Sequence, residues 1–222
     1  MNETKTTIWG NLRQSVVTTL VLLLICGLLF PVILTGLSAV IFPHQAEGSL
    51  VEADGKAVGA RYVGQDFTAD HFMKCRPSAY HYNTYTVGED GAAYYLDGSE
   101  FAGLSSGSNN YGPSNPALAE RVRADIAAFL DANPSVKRED IPTDLLTASG
   151  SGLDPHISPA SAAVQLPALA EASGLSMERL EEIVAANTEG KVLGVFGEET
   201  VNVLGVNLDI AQAMGLISEI KK

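Results

Sequence analysis

The sequence predicts one N-terminal transmembrane helix followed by a single mixed α+β domain. Three observations support this α+β class. An uncharged apolar run near the N-terminus is long enough to cross a bilayer. The rest of the 222 residues combines a hairpin pattern with several capped, amphipathic helix patterns. The sequence shows no internal repeat, which favours one domain after the helix.

The apolar run carries no Asp, Glu, Lys or Arg between Gln14 and Ala46, and its core extends from Val16 to Phe42. A helix of these 27 residues reaches about 40 Å, more than the ~30 Å hydrocarbon core, so it can span with tilt or a kink. A cleaved signal peptide is the alternative, but its apolar region is only about 7 to 15 residues and ends at a small-residue cleavage site that this chain lacks. The predicted organisation is a tail at 1–14, a transmembrane helix at 15–42 and a domain at 43–222.

Pro31 lies in the middle of the predicted span. Proline removes one backbone hydrogen bond from a helix, which predicts a kink near Leu28 to Phe30. Thr35 and Ala39 have the spacing of small residues that suits close packing with another membrane helix.

The charges on either side of the run predict its orientation. Lys5 and Arg13 precede it, and the next basic residue is Lys56. The positive-inside rule therefore places the N-terminus in the cytoplasm and the domain outside it. Removing the net +1 of the tail from the total of −12 leaves −13 on the rest of the chain. Such a domain attracts cations weakly and lacks the basic face that nucleic-acid binding needs.

The two cysteines, Cys26 and Cys75, cannot by themselves form a disulfide framework or a four-ligand zinc site. Because Cys26 falls within the predicted span, Cys75 is predicted to be a buried free thiol.

Turn and cap signals predict the elements of the domain. Asp54-Gly55 joins two short strands, Ser49 to Ala53 and Ala57 to Val63. The region from Tyr80 to Asn115, rich in Tyr, Gly, Ser and Asn, is predicted as a long loop of the kind that carries function. A helix is predicted from Asn115-Pro116 to about Ala132, and a second from Ser158-Pro159, which Pro167 kinks or breaks and which ends near Ser173-Gly174. Ser176 caps a third predicted helix, whose residues Leu180, Ile183 and Val184 point inward. The last predicted elements are a strand at Val201 to Val203 and a helix at Leu208 to Met214.

Two serine patterns suggest hydrolytic chemistry. The segment Gly103 to Gly107 matches the nucleophile elbow, but that motif needs a strand before it and a helix after it, and Asp97-Gly98 interrupts the preceding strand pattern. Ser151, Asp154 and His156 lie within six residues, whereas triads are assembled from distant segments. A turn whose polar side chains bind the backbone is the interpretation we favour for this second pattern.

Metal and phosphate sites are weakly indicated. His71, Cys75 and His81 lack the paired spacing typical of metal ligands. Gly190-Lys191 is followed by Val192, so it does not form a phosphate-binding loop. No cofactor of its own is therefore expected for this chain. These residues favour a partner subunit over an enzyme. Two alternatives stay open: an anchored extracytoplasmic enzyme with Ser105 or Ser151 as nucleophile, and an anchored sensor that uses the tyrosine-rich loop.

Several segments resemble a known family. They are Tyr62 to Phe67 (YVGQDF), Cys75 to Ala79 (CRPSA), Gly107 to Pro116 (GSNNYGPSNP), Leu146 to Ser158 (LTASGSGLDPHIS), and Val201 to Leu204 with Asn207-Leu208. In this order, and with the apolar N-terminus, they are similar to the C subunit (KdpC) of the bacterial Kdp potassium-transporting P-type ATPase, over nearly the whole chain.

The resemblance implies a subunit of a high-affinity, ATP-driven potassium uptake complex in the bacterial plasma membrane. Its partners would be a channel-like potassium-translocating subunit, a P-type ATP-hydrolysing subunit and a small single-span subunit, which between them handle K⁺ and ATP. The family role is assembly of the complex and a "catalytic chaperone" effect, in which the ATP affinity of the hydrolysing subunit is raised.

We expect the polar residues of these motifs at or near a partner interface, and for Asn115 helix capping is the better expectation. The candidates are Arg76, Ser78, Asn109, Ser114, Asn115, Ser149, Ser151, Asp154, His156 and Gln165. The chain departs from the family after Gln165, where Leu166 to Ala170 contains no basic residue.

Overall fold

The computed structural model describes residues 7–221 and divides into two compact units, with the boundary between Ser49 and Leu50. The helices are α1 Ile8–Leu24, α2 Phe30–Ile41, α3 Pro43–Ala46, α4 Pro116–Ala132, α5 Pro159–Ala163, α6 Leu166–Ser173, α7 Met177–Ala186 and α8 Val203–Ala213. The strands are β1 Leu50–Ala53, β2 Lys56–Ala60, β3 Tyr85–Val87, β4 Ala93–Tyr95, β5 His156–Ile157, β6 Thr188–Glu189, β7 Thr200–Asn202 and β8 Ile220–Lys221. The predicted α+β class with one long N-terminal apolar helix is confirmed.

The first unit contains a long apolar helix of 34 residues, Ile8–Ile41, in which an 18-residue window has a mean hydropathy of 2.8. A π-helical turn at Ile25–Leu29 joins α1 to α2. This turn lies directly before Pro31, where the sequence predicts a disturbance of the helix, and the amide of Phe30 donates to the carbonyl of Ile25. A π turn of this kind re-pairs backbone groups next to a proline, which cannot donate. The helix is long and apolar enough to cross a bilayer.

The predicted hairpin is confirmed as β1 and β2, which pair antiparallel, with β8 on the other side of β1. The predicted end of its second strand at Val63 is wrong, because β2 ends at Ala60. Asp54 and Gly55 make the turn, with φ of 48° and 73°. The Asp54 carboxylate also accepts hydrogen bonds from the amides of Ser218 and Glu219, at 3.0 and 2.9 Å, so it ties the C-terminal segment to the hairpin.

The main core is formed by α5 to α8 and β7, and its members are almost fully buried. Leu180 and Ile183 of α7 point into this core as predicted, and Val184 packs against it. The other buried residues of the core are Met73, Ile157, Ala162, Leu166, Leu169, Val201, Val203, Val206 and Ile210.

The predicted start of the last helix at Leu208 is wrong, because α8 begins at Val203. The Asn202 side chain caps it by accepting from the amide of Gly205 at 2.9 Å. The valines before Leu208 favour a strand by local propensity, but every residue from Val203 to Leu208 is buried. Burial on all sides lets tertiary packing override that propensity.

The prediction of one long loop from Tyr80 to Asn115 is also wrong, because it contains the hairpin of β3 and β4. Aromatic contacts hold this hairpin, with Phe101 stacked on Tyr85 at 4.5 Å and edge-on to Tyr95 at 5.1 Å. The turn-rich composition hid these strands, which are only three residues long.

The predicted caps of the other helices are confirmed. Asn115, Ser158 and Ser176 cap α4, α5 and α7 through their side-chain oxygens. The predicted break lies at Val164 and Gln165, and Pro167 stands in the first turn of α6, where its missing amide leaves no hydrogen bond unmade.

Candidate functional site

Two of the motif segments meet in an ion pair between Arg76 and Asp154. Nη1 of Arg76 lies 3.1 Å from Oδ2 of Asp154, and Nε of the same guanidinium donates to the Thr147 carbonyl at 3.3 Å. The two side chains are 24% and 28% exposed. At this exposure the pair is partly shielded from solvent screening and orients the segment that carries Asp154.

His156 completes this cluster on the other carboxylate oxygen. Oδ1 of Asp154 accepts from the His156 amide at 3.0 Å and lies 3.4 Å from its Nδ1. The hydrogen bonds from His156 and the charge of Arg76 hold the pKa of Asp154 below its ordinary value, although partial burial acts in the opposite direction. Asp154 is therefore held as an anion.

The arrangement of Ser151, Asp154 and His156 is that of a turn. The Ser151 hydroxyl accepts from the Leu153 amide at 3.1 Å and lies 3.5 Å from the hydroxyl of Ser149. Nε2 of His156 faces the Asn202 side chain at 3.5 Å. The serine–histidine hydrogen bond on which a triad depends is not among the contacts of these described residues.

Ser78 connects the motif segment Cys75 to Ala79 to the segment Leu146 to Ser158. Its hydroxyl donates to the Gly152 carbonyl at 2.7 Å and accepts from the amides of Tyr80 and Tyr82 at 3.2 and 3.1 Å. These contacts stabilise a left-handed turn in which His81, Tyr82 and Asn83 have φ of 47°, 55° and 56°. Three consecutive non-glycine residues in this region are strained, and the surrounding bonds hold them there.

The loop before α4 also joins the cluster. The Gly107 amide donates to the Ser151 carbonyl at 2.7 Å, and the Ser106 hydroxyl donates to the same oxygen at 3.1 Å. Gly152 has a φ of +67°, and a Cβ atom there would lie 2.5 Å from the Gly107 carbonyl oxygen. Only glycine allows the two loops to approach this closely.

A cavity of about 540 Å³ opens beside this junction, between Ser78, Asn109, Tyr111 and Thr147. Asn109 and Ser114 are exposed, and Asn115 is used as the cap of α4, accepting from the Ala117 amide at 2.9 Å. The structure thus brings three of the five motif segments to one surface, with exposed polar residues around a half-buried ion pair. A fourth segment, Tyr62 to Phe67, contacts these through the Gly64 amide, which donates to the Leu153 carbonyl at 2.9 Å.

Ser149 and Gln165 lie beneath this surface, at 5% and 3% exposure. The Gln165 amide binds both backbone groups of Lys74, at 2.8 and 3.3 Å. These side chains therefore support the site from inside, and direct contact with a partner through either of them stays a prediction.

Sequence reasoning missed several residues that build the site. Tyr82 is buried and its hydroxyl donates to the Arg76 carbonyl at 2.7 Å. Asn207 holds both backbone groups of Met73, at 2.7 and 2.9 Å, and Asp144 accepts from the hydroxyls of Ser158 and Ser161, at 3.1 and 2.6 Å. A polar residue inside an otherwise apolar helix, such as Asn207, was the available sequence indication.

The other candidate catalytic and metal-binding residues make ordinary structural contacts. Ser105 lies in a loop, where its backbone pairs with the Asn83 side chain at 2.8 and 3.0 Å. His71 packs on Phe72, and His81 lies between Asp66 and Asp97. Among residues 7–221, no group of three metal-ligating side chains comes together. Cys75 is a free thiol whose burial raises its pKa to about 12.

Comparison with known proteins yields one family. The family model described as K⁺-transporting ATPase, c chain, matches residues 12–212. A protein of Clostridium kluyveri named potassium-transporting ATPase KdpC subunit is 61% identical over 213 residues, which cover 96% of this chain and 99% of the relative. Proteins of the same name from Clostridioides difficile and Caldanaerobacter subterraneus are 53% and 41% identical, over 93% and 96% of this chain and 99% and 97% of their own lengths.

Proposed function

This chain belongs to the KdpC family, the c chain of the K⁺-transporting ATPase, and we propose that it acts there as a non-catalytic accessory subunit that assembles and stabilises the complex. One observation carries the proposal. Motif segments far apart in sequence converge on a single polar surface around Arg76 and Asp154. The hydrogen bonds of this surface hold the loops in place, as an accessory binding surface requires.

The partner of this surface is, in our proposal, the potassium-translocating subunit. The rim is formed by three exposed polar residues, Asn109, Ser114 and Ser151. The half-buried Arg76 and Asp154 hold the rim in position, because the ion pair fixes the loop that carries Ser151. Interfaces commonly combine a fixed polar rim with cavities that a partner fills, and the 540 Å³ cavity beside Asn109 has this character.

The helix Ile8–Ile41 is proposed as a single-pass anchor in the plasma membrane, with the N-terminus cytoplasmic and residues 50–221 outside. Lys5 and Arg13 precede the uncharged apolar run, and the next Lys or Arg after it is Lys56, which supports this orientation. The π turn beside Pro31 is suited to packing against helices of the other subunits, the ATP-hydrolysing and the small single-span subunits among them.

In this orientation the domain and a cytoplasmic nucleotide site lie on opposite faces of the membrane. An increase in the ATP affinity of the hydrolysing subunit is therefore proposed to be indirect, transmitted through the assembled complex. K⁺ and ATP are handled by the partner subunits, and the excess of acidic residues gives this domain a weak attraction for cations.

The test is purification of the tagged full-length chain in mild detergent from potassium-starved cells, followed by mass spectrometry and an ATPase assay. The informative variant is Asn109→Arg, which adds a long charged side chain to the exposed rim. Its control is Ala185→Arg, at an exposed position of α7. We expect Asn109→Arg to lose the large subunits and the potassium-stimulated ATPase activity, and Ala185→Arg to keep both.

Asp154→Ala provides a second measurement on the same complex. Its recovery of partner subunits should fall more than its thermal stability does. Equal losses of the two would indicate a residue that serves only the fold. Recovery of the wild-type chain alone, without ATPase activity, would contradict the proposal and favour an anchored enzyme or sensor.

A further inference from the structure

The connection between β6 and β7 ends in an apolar tip, which we define as residues Val192 to Phe196. Val192 and Phe196 pair across it, with backbone N–O distances of 2.8 and 3.0 Å. Leu193 and Gly194 turn the chain with φ of 55° and 74°. The four large side chains of the tip, Val192, Leu193, Val195 and Phe196, are 67%, 86%, 72% and 65% exposed. Apolar side chains this exposed on a well-formed turn mark a contact site.

The base of the tip lies near Leu50, where the chain enters the domain. Leu50, the first residue of β1, pairs with Ala60 of β2. Arg61 follows, and its guanidinium binds Glu189 at the base of the tip at 2.7 Å. The Arg61 carbonyl also accepts from Asn202 at the end of β7, at 2.8 Å. Tyr62, the next residue, is 57% exposed, and the Arg61 guanidinium lies 5.9 Å from the centroid of its ring.

The length of the connection limits how far this part of the domain can be from a membrane. Eight residues, 42–49, separate the apolar helix from β1. Even fully extended they span about 30 Å. An anchored chain therefore keeps the tip at high local concentration near lipid, where a small apolar contact suffices.

The charge of the domain and the apolar area of the tip indicate which kind of surface the tip binds. Residues 192–197 carry no charge, whereas the chain beyond position 14 has a net charge of −13, which disfavours anionic lipid. The tip exposes a few hundred Å² of apolar surface, less than the ~800 Å² per partner of a stable dimer. A second copy of this chain is therefore a poor occupant.

We propose that the apolar tip inserts into the interfacial region of a zwitterionic bilayer and holds the domain against the membrane surface. This rests on the membrane anchoring in the proposed function. The side chains that enter the bilayer are those of Leu193, Val195 and Phe196, while Arg61 and Lys191 lie at the level of the headgroups.

The test uses the full chain reconstituted in phosphatidylcholine vesicles, with an environment-sensitive fluorophore on Leu193→Cys in a Cys26→Ala background. Cys75 is partly buried and its pKa is raised to about 12, so at neutral pH its thiol does not compete for the label. Leu104→Cys is the matched control, because Leu104 is 81% exposed in the loop before α4, close to the 86% of Leu193. Brominated phosphatidylcholine should reduce emission from position 193 by roughly twofold and leave position 104 nearly unchanged, with little dependence on salt and no increase when anionic phosphatidylglycerol is added.

Equal quenching at the two positions, or none at position 193, would overturn the proposal. A second measurement, on the co-purified complex, would also overturn it if the label at position 193 were shielded there and not in the chain alone, because that result would assign the tip to a protein partner. Because the quenching measurement uses the chain alone, its failure leaves the co-purification result of the accessory-subunit proposal unaffected.

Discussion

Arg76 and Asp154 lie 78 positions apart in the chain, yet Nη1 of one is 3.1 Å from Oδ2 of the other. The same arginine binds the Thr147 carbonyl, and the same carboxylate binds the His156 amide, so the pair closes a loop that contains Ser149 and Ser151. The geometry of the proposed interface therefore depends on a contact between two segments that have no local relationship.

A double-mutant cycle on this pair should show coupling. We expect the losses in the free energy of unfolding caused by Arg76→Ala and by Asp154→Ala, added together, to exceed the loss in the double variant by about 1 kcal/mol, because each side chain is only a quarter exposed. Denaturant unfolding of the detergent-solubilised chain measures it. The exposed pair Arg179 and Glu182 serves as the control and should couple by about 0.3 kcal/mol. Purely additive losses at Arg76 and Asp154 would contradict the shielded pair.

Stability should fall in acid. The folded-state pKa of Asp154 lies below its ordinary value of 3.8, so its carboxylate stabilises the fold above that value, and the contribution is lost as pH falls through and below it. Asp144 behaves in the same way: partial burial is opposed and outweighed by hydrogen bonds from Ser161 and Ser158, which lower its pKa. Unfolding measured between about pH 2.5 and 6 should show this decline. Asp154→Asn should make the decline shallower, and an unchanged slope would contradict the assignment.

Gly152→Ala should destabilise the domain. The position combines a φ of +67° with a Cβ that would lie 2.5 Å from the Gly107 carbonyl oxygen, so both strain and a clash result. We expect a loss of about 1–3 kcal/mol in the free energy of unfolding. Gly150→Ala is the matched control two residues away, where a Cβ meets open space, and its effect should be within about 0.5 kcal/mol. Similar stabilities for the two variants would argue against close approach of the loops.

Cys75 should be unreactive in the folded protein. Burial raises its pKa to about 12, so at pH 8 the thiolate that attacks alkylating reagents is scarce. In a Cys26→Ala background, labelling with iodoacetamide should be slow until denaturant is added and complete afterwards, as followed by mass spectrometry. Ser106→Cys, at an exposed loop position, should label rapidly under native conditions. Rapid native labelling of Cys75 would contradict its burial.

Local patterns predicted the elements whose signals lie in adjacent residues. The Asp54-Gly55 hairpin follows from two adjacent residue types that accept a positive φ. The caps at Asn115, Ser158 and Ser176 follow from side chains that accept from backbone amides two or three positions away. The start of α8 at Val203 could not be predicted from local patterns, because its valines favour a strand unless the segment is buried on all sides. The hairpin of β3 and β4 was also missed, since it is held by aromatic contacts with Phe101.

The sequence by itself determined the apolar helix, the acidic character of the domain, its α+β class and, through resemblance, the family. Hydropathy, charge and capping are local quantities, so they can be read without coordinates. Only the tertiary structure decided that Arg76 meets Asp154, that Gln165 and Asn207 point inward to hold the backbone of Lys74 and Met73, and that the tip at Leu193 is exposed. The contacts of Arg76, Gln165 and Asn207 depend on burial of a common core, which brings distant segments of the chain together. The exposure of Leu193 depends on its position outside that core.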